Sequence, residues 1–151
     1  MPLLVGQCVR SVDEKQRVAL PKRLREAMEC EPGSHLYVAP GLDGSLAIYM
    51  EGGFNQLADR LAEAPPTDQD VRAFTRVFFS LAERVELDSQ GRIRIPANLA
   101  QMAELGREKE VVLIGARDHL ELWAKGRWDA YLAEKQPQYD RIAEAAFGRP
   151  K

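Results

Sequence analysis

The sequence lacks the segments that would place the protein in or beyond a membrane. No apolar run approaches the roughly 18 residues that a helix needs to span a bilayer, and residues 1–6 have neither the cationic start nor the long apolar stretch of a secretory signal. We therefore expect a cytoplasmic protein with no membrane partner. Hydrophobic residues fill 45% of the 151 positions, which is enough for one or two compact domains.

Cysteine and histidine are scarce, with two residues of each type. We expect Cys8 and Cys30 to be reduced thiols that pack as small apolar groups, because disulfides are rare in chains without an export signal. Together with His35 and His119 they show none of the close Cys-x-x-Cys or His-x-x-x-His spacings of metal sites. The sequence therefore predicts no disulfide, no metal ion and no other cofactor.

The patterns that accompany catalysis are also missing. No serine lies in a nucleophile-elbow pattern, and no glycine-rich loop precedes a phosphate-binding lysine. We therefore expect a protein that is not an enzyme and has no evident small-molecule substrate. Its 23 acidic and 21 basic residues give a net charge of -2, which argues against indiscriminate binding of nucleic acid. Any contact with DNA must be local.

What the sequence does contain is a tandem duplication. Residues 12–24 and 87–99 share an aspartate, an arginine, a proline and a leucine at one constant spacing of 75 positions. The match extends through residues 36–49 and 111–123, with one loop residue lost from the second copy. A correspondence this long at apolar and turn positions indicates two copies of one structural unit.

Each copy is predicted to fold as strand, turn, strand, short helix, hairpin and longer helix, which is a mixed α+β architecture. Pro21 and Pro96 end short strands, and each proline can open the helix that follows. The turn at residues 41–44 joins two further strands in a hairpin. Helices are predicted at residues 22–29, 54–61, 67–82, 97–104 and 125–135, followed by a last amphipathic segment.

Pro65 and Pro66 mark the clearest boundary in the chain. The helix predicted after them has Thr67 as its N-cap and connects the two copies. We therefore expect a first repeat at residues 1–66, a connecting helix at 67–82, and a second repeat with C-terminal helices at 83–151.

The candidate functional residues lie at the first turn of each copy. An Asp-x-x-x-Arg pattern there pairs Asp13 with Arg17 and Asp88 with Arg92. One interpretation is an ion pair that only fixes the turn, although an exposed pair stabilises a fold by no more than about 1 kcal/mol. The other is that the aspartate orients the arginine, so that its planar guanidinium can meet a phosphate or the edge of a guanine. The spacing leaves both interpretations open.

Basic residues are concentrated around the first of these turns. Residues 10–25 include six of them and two acids, a local charge of +4 in a chain that is acidic overall. A solvated charged face is the simplest interpretation of such a run, but the acidic surroundings favour a binding surface. The six are Arg10, Lys15, Arg17, Lys22, Arg23 and Arg25.

The second copy has lost most of this charge. Of the six positions, only that of Arg17 keeps its charge, as Arg92, and uncharged residues fill the other five. Arg94 is a new cation beside it, and these two arginines are the DNA-contact candidates of the second copy. We therefore predict that the first copy makes most of the DNA contacts, whereas the second chiefly completes the fold.

Residues 9–25 resemble the AbrB-type swapped-hairpin DNA-binding domain. Two further features narrow the resemblance to one family within this class. They are the tandem arrangement of the unit and the Gly-Leu-Asp-Gly turn at residues 41–44. The apolar strand at residues 109–115, before Leu122 and Trp123, agrees with them. Together these features resemble the MraZ family over nearly the whole chain.

The resemblance implies that the two units form a pseudo-symmetric, double-ψ-like swapped-hairpin β-barrel with packing helices. It also implies a transcriptional regulator, usually a repressor, of the bacterial division and cell-wall gene cluster. Such a protein binds short direct repeats in the promoter DNA upstream of its own gene, as a ring-shaped homo-oligomer at the nucleoid. In AbrB-like domains the arginines that correspond to Arg10, Arg17 and Arg25 face the DNA, and the MraZ signature maps onto both Asp-x-x-x-Arg patterns.

One residue departs from the family pattern. Gln16 stands where a glycine usually precedes the arginine, whereas Gly91 retains that glycine in the second copy. Because glycine permits a positive φ in such a turn, Gln16 predicts either a strained residue or a slightly different loop.

Two other functions remain open. One is an antitoxin that uses the same swapped-hairpin unit, although that class normally carries a disordered acidic tail where this chain has a second folded copy. The other is an oligomeric scaffold that does not bind DNA. The dependence of promoter binding on salt would separate a DNA-binding protein from a scaffold.

Overall fold

The computed structural model describes residues 3–106 and 109–149, so the outermost positions of the predicted division, residues 1 and 151, lie outside the described residues. In chain order the elements are β1 (Gln7–Ser11), β2 (Arg17–Ala19), α1 (Lys22–Ala27), β3 (His35–Pro40), β4 (Leu46–Met50), α2 (Glu51–Ala62), α3 (Gln69–Leu81), β5 (Glu83–Glu86), β6 (Arg92–Arg94), α4 (Ala97–Met102), β7 (Glu110–Gly115), β8 (Leu120–Ala124), α5 (Lys125–Lys135), a 3-10 turn (Gln136–Gln138) and α6 (Tyr139–Phe147).

The short helices α1 and α4 end two residues earlier than expected, for the same reason in both copies. Glu29 and Glu104 adopt left-handed backbone conformations, with φ of 56° and 57°. The N–H of the following residue then reaches back into the helix, as Cys30 does to the carbonyl of Arg25 at 2.9 Å, with the equivalent bond in the second copy. Such a bond satisfies a free carbonyl and ends the helix, as in a Schellman motif.

The two copies exchange strands. Six strands form one antiparallel sheet in the order β1-β7-β8-β4-β3-β5, and β2 and β6 form a separate two-stranded sheet. β1 of the first copy pairs with β7 of the second, and β5 of the second pairs with β3 of the first. The strands β1, β3 and β4 of the first copy correspond to β5, β7 and β8 of the second. The sheet order is therefore symmetric, because reading it from the other end and exchanging corresponding strands gives the same order. Since each copy lends a strand to the other, neither copy completes its sheet alone.

The predicted mixed α+β architecture is confirmed. The predicted hairpin is also confirmed, since β3 and β4 pair from Leu36 with Met50 to Pro40 with Leu46. The larger sheet is open, with β1 and β5 at its two ends. The closed swapped-hairpin barrel therefore stays a prediction, because an open sheet and a separate strand pair do not establish closure.

The main hydrophobic core draws on both copies. Val18 of β2 and Ile93 of β6 are paired, and neither is more than 1% exposed. Leu24 of α1 and Leu99 of α4 join the same buried cluster. Burial of a side chain of this size contributes about 1.5–3 kcal/mol, so the association of the two copies is part of the stability of each.

A second, aromatic cluster joins α2 and α3 to the sheet. The ring of Phe54 stacks on that of Tyr37, with 4.2 Å between centroids and 4° between planes, and Phe78 lies 6.0 Å from Phe54. Phe78 is buried, whereas Phe74, one turn earlier in α3, is 42% exposed. The helix predicted to connect the two copies therefore packs mainly through its C-terminal end.

The predicted N-cap of this helix is wrong by one residue. Asp68, not Thr67, is the N-cap, and its Oδ1 accepts the backbone N–H groups of Asp70 and Val71 at 2.8 and 3.2 Å. A carboxylate accepts both N–H groups and interacts favourably with the positive end of the helix dipole, which a hydroxyl does less well.

The C-terminal helices follow the sequence prediction closely. Trp123 of β8 packs with Trp128 and Tyr131 of α5, with ring centroids 5.0–5.9 Å apart. Pro137 lies in the 3-10 turn that separates α5 from α6. Phe147, at the end of α6, is 91% exposed.

Within the described ranges, no helix combines the length and the apolar character that a membrane span requires. The same residues include no group of three His, Cys, Asp or Glu side chains that could hold a metal ion. Cys8 and Cys30 are free thiols, half-buried at the edge of the main core. Burial raises the pKa of Cys30, so this thiol is less reactive than an exposed one.

Candidate nucleic-acid interface

The first Asp-x-x-x-Arg turn is held by one carboxylate. Asp13 Oδ1 accepts the backbone N–H groups of Lys15 at 2.9 Å and Arg17 at 2.8 Å, and its Oδ2 accepts Nε–H of Arg17 at 2.7 Å. The backbone closes the same turn, because the N–H of Asp13 donates to the carbonyl of Arg17 at 3.0 Å. The aspartate therefore fixes both the turn and the guanidinium that follows it.

The second turn repeats this arrangement. Asp88 Oδ1 accepts the N–H groups of Gln90 and Arg92, each at 2.9 Å, and its Oδ2 accepts Nε–H of Arg92 at 2.9 Å. A guanidinium has five N–H donors, so an arginine bound through Nε keeps donors for a second acceptor. Both interpretations of the pattern are thus compatible with the geometry, since the ion pair that fixes the turn also orients the arginine.

The substituted residue Gln16 adopts the conformation of the glycine that it replaces. Its φ is 62°, and that of Gly91 in the second turn is 76°. The turn bonds match as well, since the N–H of Gln16 reaches Asp13 O at 3.0 Å and that of Gly91 reaches Asp88 O at 3.1 Å. Of the two outcomes that the sequence allowed, the structure shows a residue tolerated in the left-handed region rather than a different loop.

Both aspartates are held in their charged form. The backbone N–H of Arg17 is the largest influence on Asp13 and, with the Arg17 side chain and the N–H of Lys15, lowers its pKa against the effect of desolvation. At Asp88, desolvation tends to raise the pKa, but the hydrogen bonds from Arg92 and Gln90 together outweigh it, and the pKa is lowered. Each turn therefore keeps its ion pair at neutral pH.

The strand pair β2–β6 brings the arginines of both copies onto one face. In its antiparallel register Arg17 is opposite Arg94, Val18 is opposite Ile93, and Ala19 is opposite Arg92. Because side chains alternate along a strand, the buried Val18 and Ile93 define the inner face, and the three arginines lie on the outer one. We call Arg17, Arg92 and Arg94 the arginine face.

Charge on this face is balanced in part by the two aspartates. Like charges directly opposite each other destabilise a strand pair, and Arg17 and Arg94 are such a pair. Asp13 and Asp88 bind two of the three arginines, and Arg92 Nη1 also lies 3.8 Å from Asp13 Oδ2. The result is a surface with a small net positive charge, on which the guanidinium groups of Arg17 and Arg92 are held in place.

The other predicted basic residues lie outside this face, on β1, on α1 and at the first turn. Lys15 is exposed at the tip of the first turn. Lys22 and Arg23 are exposed at the start of α1, where Lys22 Nζ lies 3.8 Å from Glu26 Oε1 and Arg23 Nη1 donates to Val5 O at 2.8 Å.

Arg10 and Arg25 are half-buried and hydrogen-bonded to carbonyl groups. Arg10 Nη1, on β1, donates to the carbonyl of Val9 at 2.9 Å. Arg25 Nε, on α1, donates to the carbonyl of Leu20 at 3.0 Å. Their roles in DNA binding stay predictions, as do those of the other six basic candidates.

The sequence offered all three arginines as candidates, but it did not show that they lie on one face. It assigned most DNA contacts to the first copy, whereas the structure places Arg92 and Arg94 of the second copy beside Arg17. The alternation of Arg92, Ile93 and Arg94 was a usable signal, because it separates a polar face from an apolar one. No residue pattern indicated that β6 would pair with β2.

A second polar cluster surrounds His119, away from the arginine face. Its Nδ1 lies 2.8 Å from Asp118 Oδ1 and its Nε2 lies 3.7 Å from Glu121 Oε2, and its ring stacks on Tyr49 at 5.1 Å. The nearby Glu121 carboxylate is the largest influence on the imidazole and, with Asp118, raises its pKa against desolvation. Arg60 joins Tyr49, Asp118 and His119 around a cavity of about 460 Å³.

Comparison with known proteins agrees with the duplication. The family model described as "MraZ protein, putative antitoxin-like" matches the chain twice, at residues 4–77 and 78–150. Proteins named "Transcriptional regulator MraZ" are similar over most of their length: 43% identical in Alkaliphilus oremlandii and 41% in Alkaliphilus metalliredigens, each over 93% of this chain and 94% of the relative. The protein of that name from Moorella thermoacetica is 39% identical over 94% of this chain and 95% of its own length. The chain with two paired Asp-x-x-x-Arg turns therefore belongs to the MraZ family.

Proposed function

We propose that the protein is a transcriptional regulator that binds double-stranded promoter DNA through the arginine face and the basic residues around it. The observation that carries the proposal is the placement of Arg17, Arg92 and Arg94 on one outer face of the strand pair β2–β6, with Arg17 and Arg92 held by aspartates. The names of the relatives support it.

Preorganised guanidinium groups suit this task. A guanidinium can bind a phosphate, or O6 and N7 of a guanine, through two parallel N–H donors. Asp13 and Asp88 hold two of these groups through Nε, which reduces the conformational entropy lost on binding. Phosphate contacts would position the protein and base contacts would specify the site. The proposed interface comprises Arg10, Lys15, Arg17, Lys22, Arg23, Arg25, Arg92 and Arg94, with Asp13 and Asp88 fixing the turns.

Assembly would strengthen weak local binding. The chain has a net charge of -2, so a single interface of this size gains little from nonspecific attraction to phosphates. A ring-shaped homo-oligomer would present several copies of the face to direct repeats on one DNA molecule, and avidity could then exceed the affinity of one copy by a factor of about 100 or more. We propose this arrangement at the promoter of the division and cell-wall gene cluster, upstream of the protein's own gene, with repression as the outcome.

The fold supports a functional unit made from both repeats. We propose that the two sheets are parts of one swapped-hairpin barrel, because β1–β7 and β3–β5 exchange strands between the copies. The proposed division has a first repeat at residues 1–66, a connecting helix at 67–82 and a second repeat at 83–151. The DNA-binding surface then depends on both repeats.

The proposed cellular role is that of a cytoplasmic, nucleoid-associated protein. It would act by binding alone, as neither an enzyme nor a carrier of a cofactor or a small-molecule substrate. The regulators named among the relatives agree with that role.

Fluorescence anisotropy with labelled DNA from upstream of the protein's own gene tests the proposal. We expect specific binding that weakens as salt rises, and little binding to a scrambled duplex at the same salt. A variant with Arg17→Ala, Arg92→Ala and Arg94→Ala should lose most of that binding. Arg76→Ala, an exposed substitution on α3, is the matched control and should bind as the wild type does.

The competing functions give other results. A scaffold would assemble without binding DNA even in dilute buffer, and sedimentation velocity on the same samples would report the assembly. A monomer that ignores its own upstream region at low salt would show that the proposed function is wrong.

A further inference from the structure

Arg25, near the end of α1 in the first repeat, lies against the turn of the second repeat. Its Nε donates to the carbonyl of Leu20 at 3.0 Å, and the N–H of Leu20 donates to the carbonyl of Gly91 at 2.9 Å. A Cβ atom on Gly91 would come within 2.8 Å of both Nε and Cζ of Arg25. The guanidinium therefore covers the backbone of Gly91.

We propose that Arg25 is a positioning residue for the second DNA-contacting turn, residues 88–92, which it supports from the other repeat. This inference rests on the proposed function, since the position of Arg92 matters for DNA only if the arginine face binds it. This role is distinct from the direct DNA contact proposed above for Arg25, because a positioning residue acts through Arg92.

The first turn has the reverse combination at the corresponding positions. Gln16 stands where the second turn has Gly91, and Ala100 stands where the first short helix has Arg25. Gln16 carries a Cβ at a φ of 62°, in the conformation that Gly91 adopts at 76°. Because a Cβ and a guanidinium cannot occupy the same space, a larger turn residue is matched by a smaller helix residue. The residues at these two pairs of positions thus have the size relationship that the proposal predicts.

Arg25 also restores a charge that the second turn lacks. Lys15 at the tip of the first turn corresponds to Gln90 in the second. With Arg25 in place, the second turn has a cation besides its own Arg92, as the first turn has Lys15 besides its own Arg17.

A set of binding measurements on the full chain separates positioning from independent contact. We expect Arg25→Ala to weaken binding to the protein's own upstream DNA roughly tenfold, as the loss of one bond from a charged group does. In an Arg92→Ala background, Arg25→Ala should weaken binding less than about threefold, because the second turn then has no arginine to position. In an Arg17→Ala background it should keep its full effect. Equal losses in all three backgrounds would overturn the proposal.

Amide hydrogen exchange by NMR gives a readout that does not need DNA. Arg25→Ala should speed exchange at Gln90, Gly91 and Arg92, and leave Lys15 and Gln16 unchanged. Arg76→Ala should leave both turns as they are in the wild type. If exchange at residues 90–92 does not change, Arg25 does not position the turn.

This pair of experiments keeps the two proposals apart. If the wild type fails to bind its upstream DNA, the proposed function is wrong, and the exchange data alone decide whether Arg25 supports the turn. If the wild type binds and the effects of Arg25 and Arg92 are additive, the function stands and the positioning role is wrong.

Two further variants address the shape and the charge of Arg25. Gly91→Gln should weaken binding, and Arg25→Ala added to it should cause little further loss, because the double variant reproduces the combination found at the first turn. Arg25→Lys keeps the charge but loses the planar group, so it should recover part of the binding and leave exchange at residues 90–92 fast. If Arg25→Lys restored both the wild-type binding affinity and the wild-type exchange at residues 90–92, the proposal would be overturned. If Arg25→Ala does not fold, which circular dichroism would show, Arg25→Lys serves in the same backgrounds.

Discussion

Arg92 Nη1 lies 3.8 Å from Asp13 Oδ2, although the two residues belong to different repeats and each has a closer partner in its own turn. Asp13 is bound to Arg17 at 2.7 Å and Arg92 to Asp88 at 2.9 Å. The longer contact contributes little energy at a partly exposed site, but it links the two turns. A substitution in one turn therefore affects the electrostatic environment of the other.

The two arginines of the paired turns should differ in their contribution to DNA binding. Arg17→Ala is expected to weaken binding more than Arg92→Ala, because most of the neighbouring basic residues belong to the first copy. Each loss should fall in the range of about 1–3 kcal/mol if the arginine contacts a base. The dissociation constants of the wild type and the two variants, measured at one fixed salt concentration, would give both losses. An equal or larger loss for Arg92→Ala would contradict the predicted dominance of the first copy.

Asp13→Asn should separate the shape of the turn from its charge. The Asn Oδ1 can still accept the N–H groups of Lys15 and Arg17, whereas the ion pair is lost. Because the pKa of Asp13 is lowered in the folded state, the charged group stabilises the fold above the pKa of a free carboxyl. That stabilisation is lost as the pH falls through the lowered value.

Unfolding by urea at several pH values would measure this effect. The wild type should be more stable than Asp13→Asn at neutral pH, and the difference should shrink in acid. Asp13→Ala, which also removes the acceptor for the turn, should be less stable than Asp13→Asn. A difference that does not depend on pH would show that the charge of Asp13 is not involved.

Gln16→Gly should stabilise the protein. A non-glycine residue in the left-handed region costs about 1–2 kcal/mol, and glycine returns about 0.4–1 kcal/mol of that through the entropy of the unfolded chain. We expect a net gain of roughly 0.5–1 kcal/mol in the free energy of unfolding. The matched control is Gln90→Gly in the second turn, a position where no strain is relieved, and it should lower stability. A loss of stability in Gln16→Gly would mean that contacts of the Gln16 side chain outweigh the strain.

His119 should make stability depend on pH near neutrality. Its pKa is raised in the folded state, chiefly by the nearby Glu121 carboxylate and also by Asp118. The stabilisation is then fully present below the unfolded value of about 6.5 and is lost as the pH rises through the folded value. We expect the difference in stability between the wild type and His119→Gln to be larger at about pH 6 than at about pH 8.5. Thermal unfolding across that range measures it, with His35→Gln as the control outside the cluster; a constant difference would show that the imidazolium does not stabilise the cluster.

Local features of the fold were predictable because each turn, proline and apolar position that indicated them occurs in both copies. The prolines at 21 and 96 and the glycine turn at 41–44 gave the order of the elements. The C-terminal end of α1 and the N-cap of α3 were not predictable in this way. The first depends on which residue adopts a left-handed φ, and the second depends on which side chain reaches a free N–H. Glu29 at φ 56° and Asp68 as the cap decided those two cases.

The candidate residues were found from the sequence, but their grouping was not. Asp13 and Arg17 are close in the chain, so the spacing alone indicated their pair. Arg17 and Arg94 are 77 positions apart and come together only because β2 pairs with β6. The contact of Arg25 with Gly91 has the same origin.

The sequence by itself determined the two copies, the Asp-x-x-x-Arg turns and the chemical character of each strand, because these depend on neighbours within a few residues. The resemblance implied a swapped-hairpin arrangement of the two units, but only the tertiary structure decided which strands pair and that three arginines lie on one face. Each short strand has an apolar face that its own copy cannot bury, and burial of Val18 against Ile93 is available only when the two copies meet.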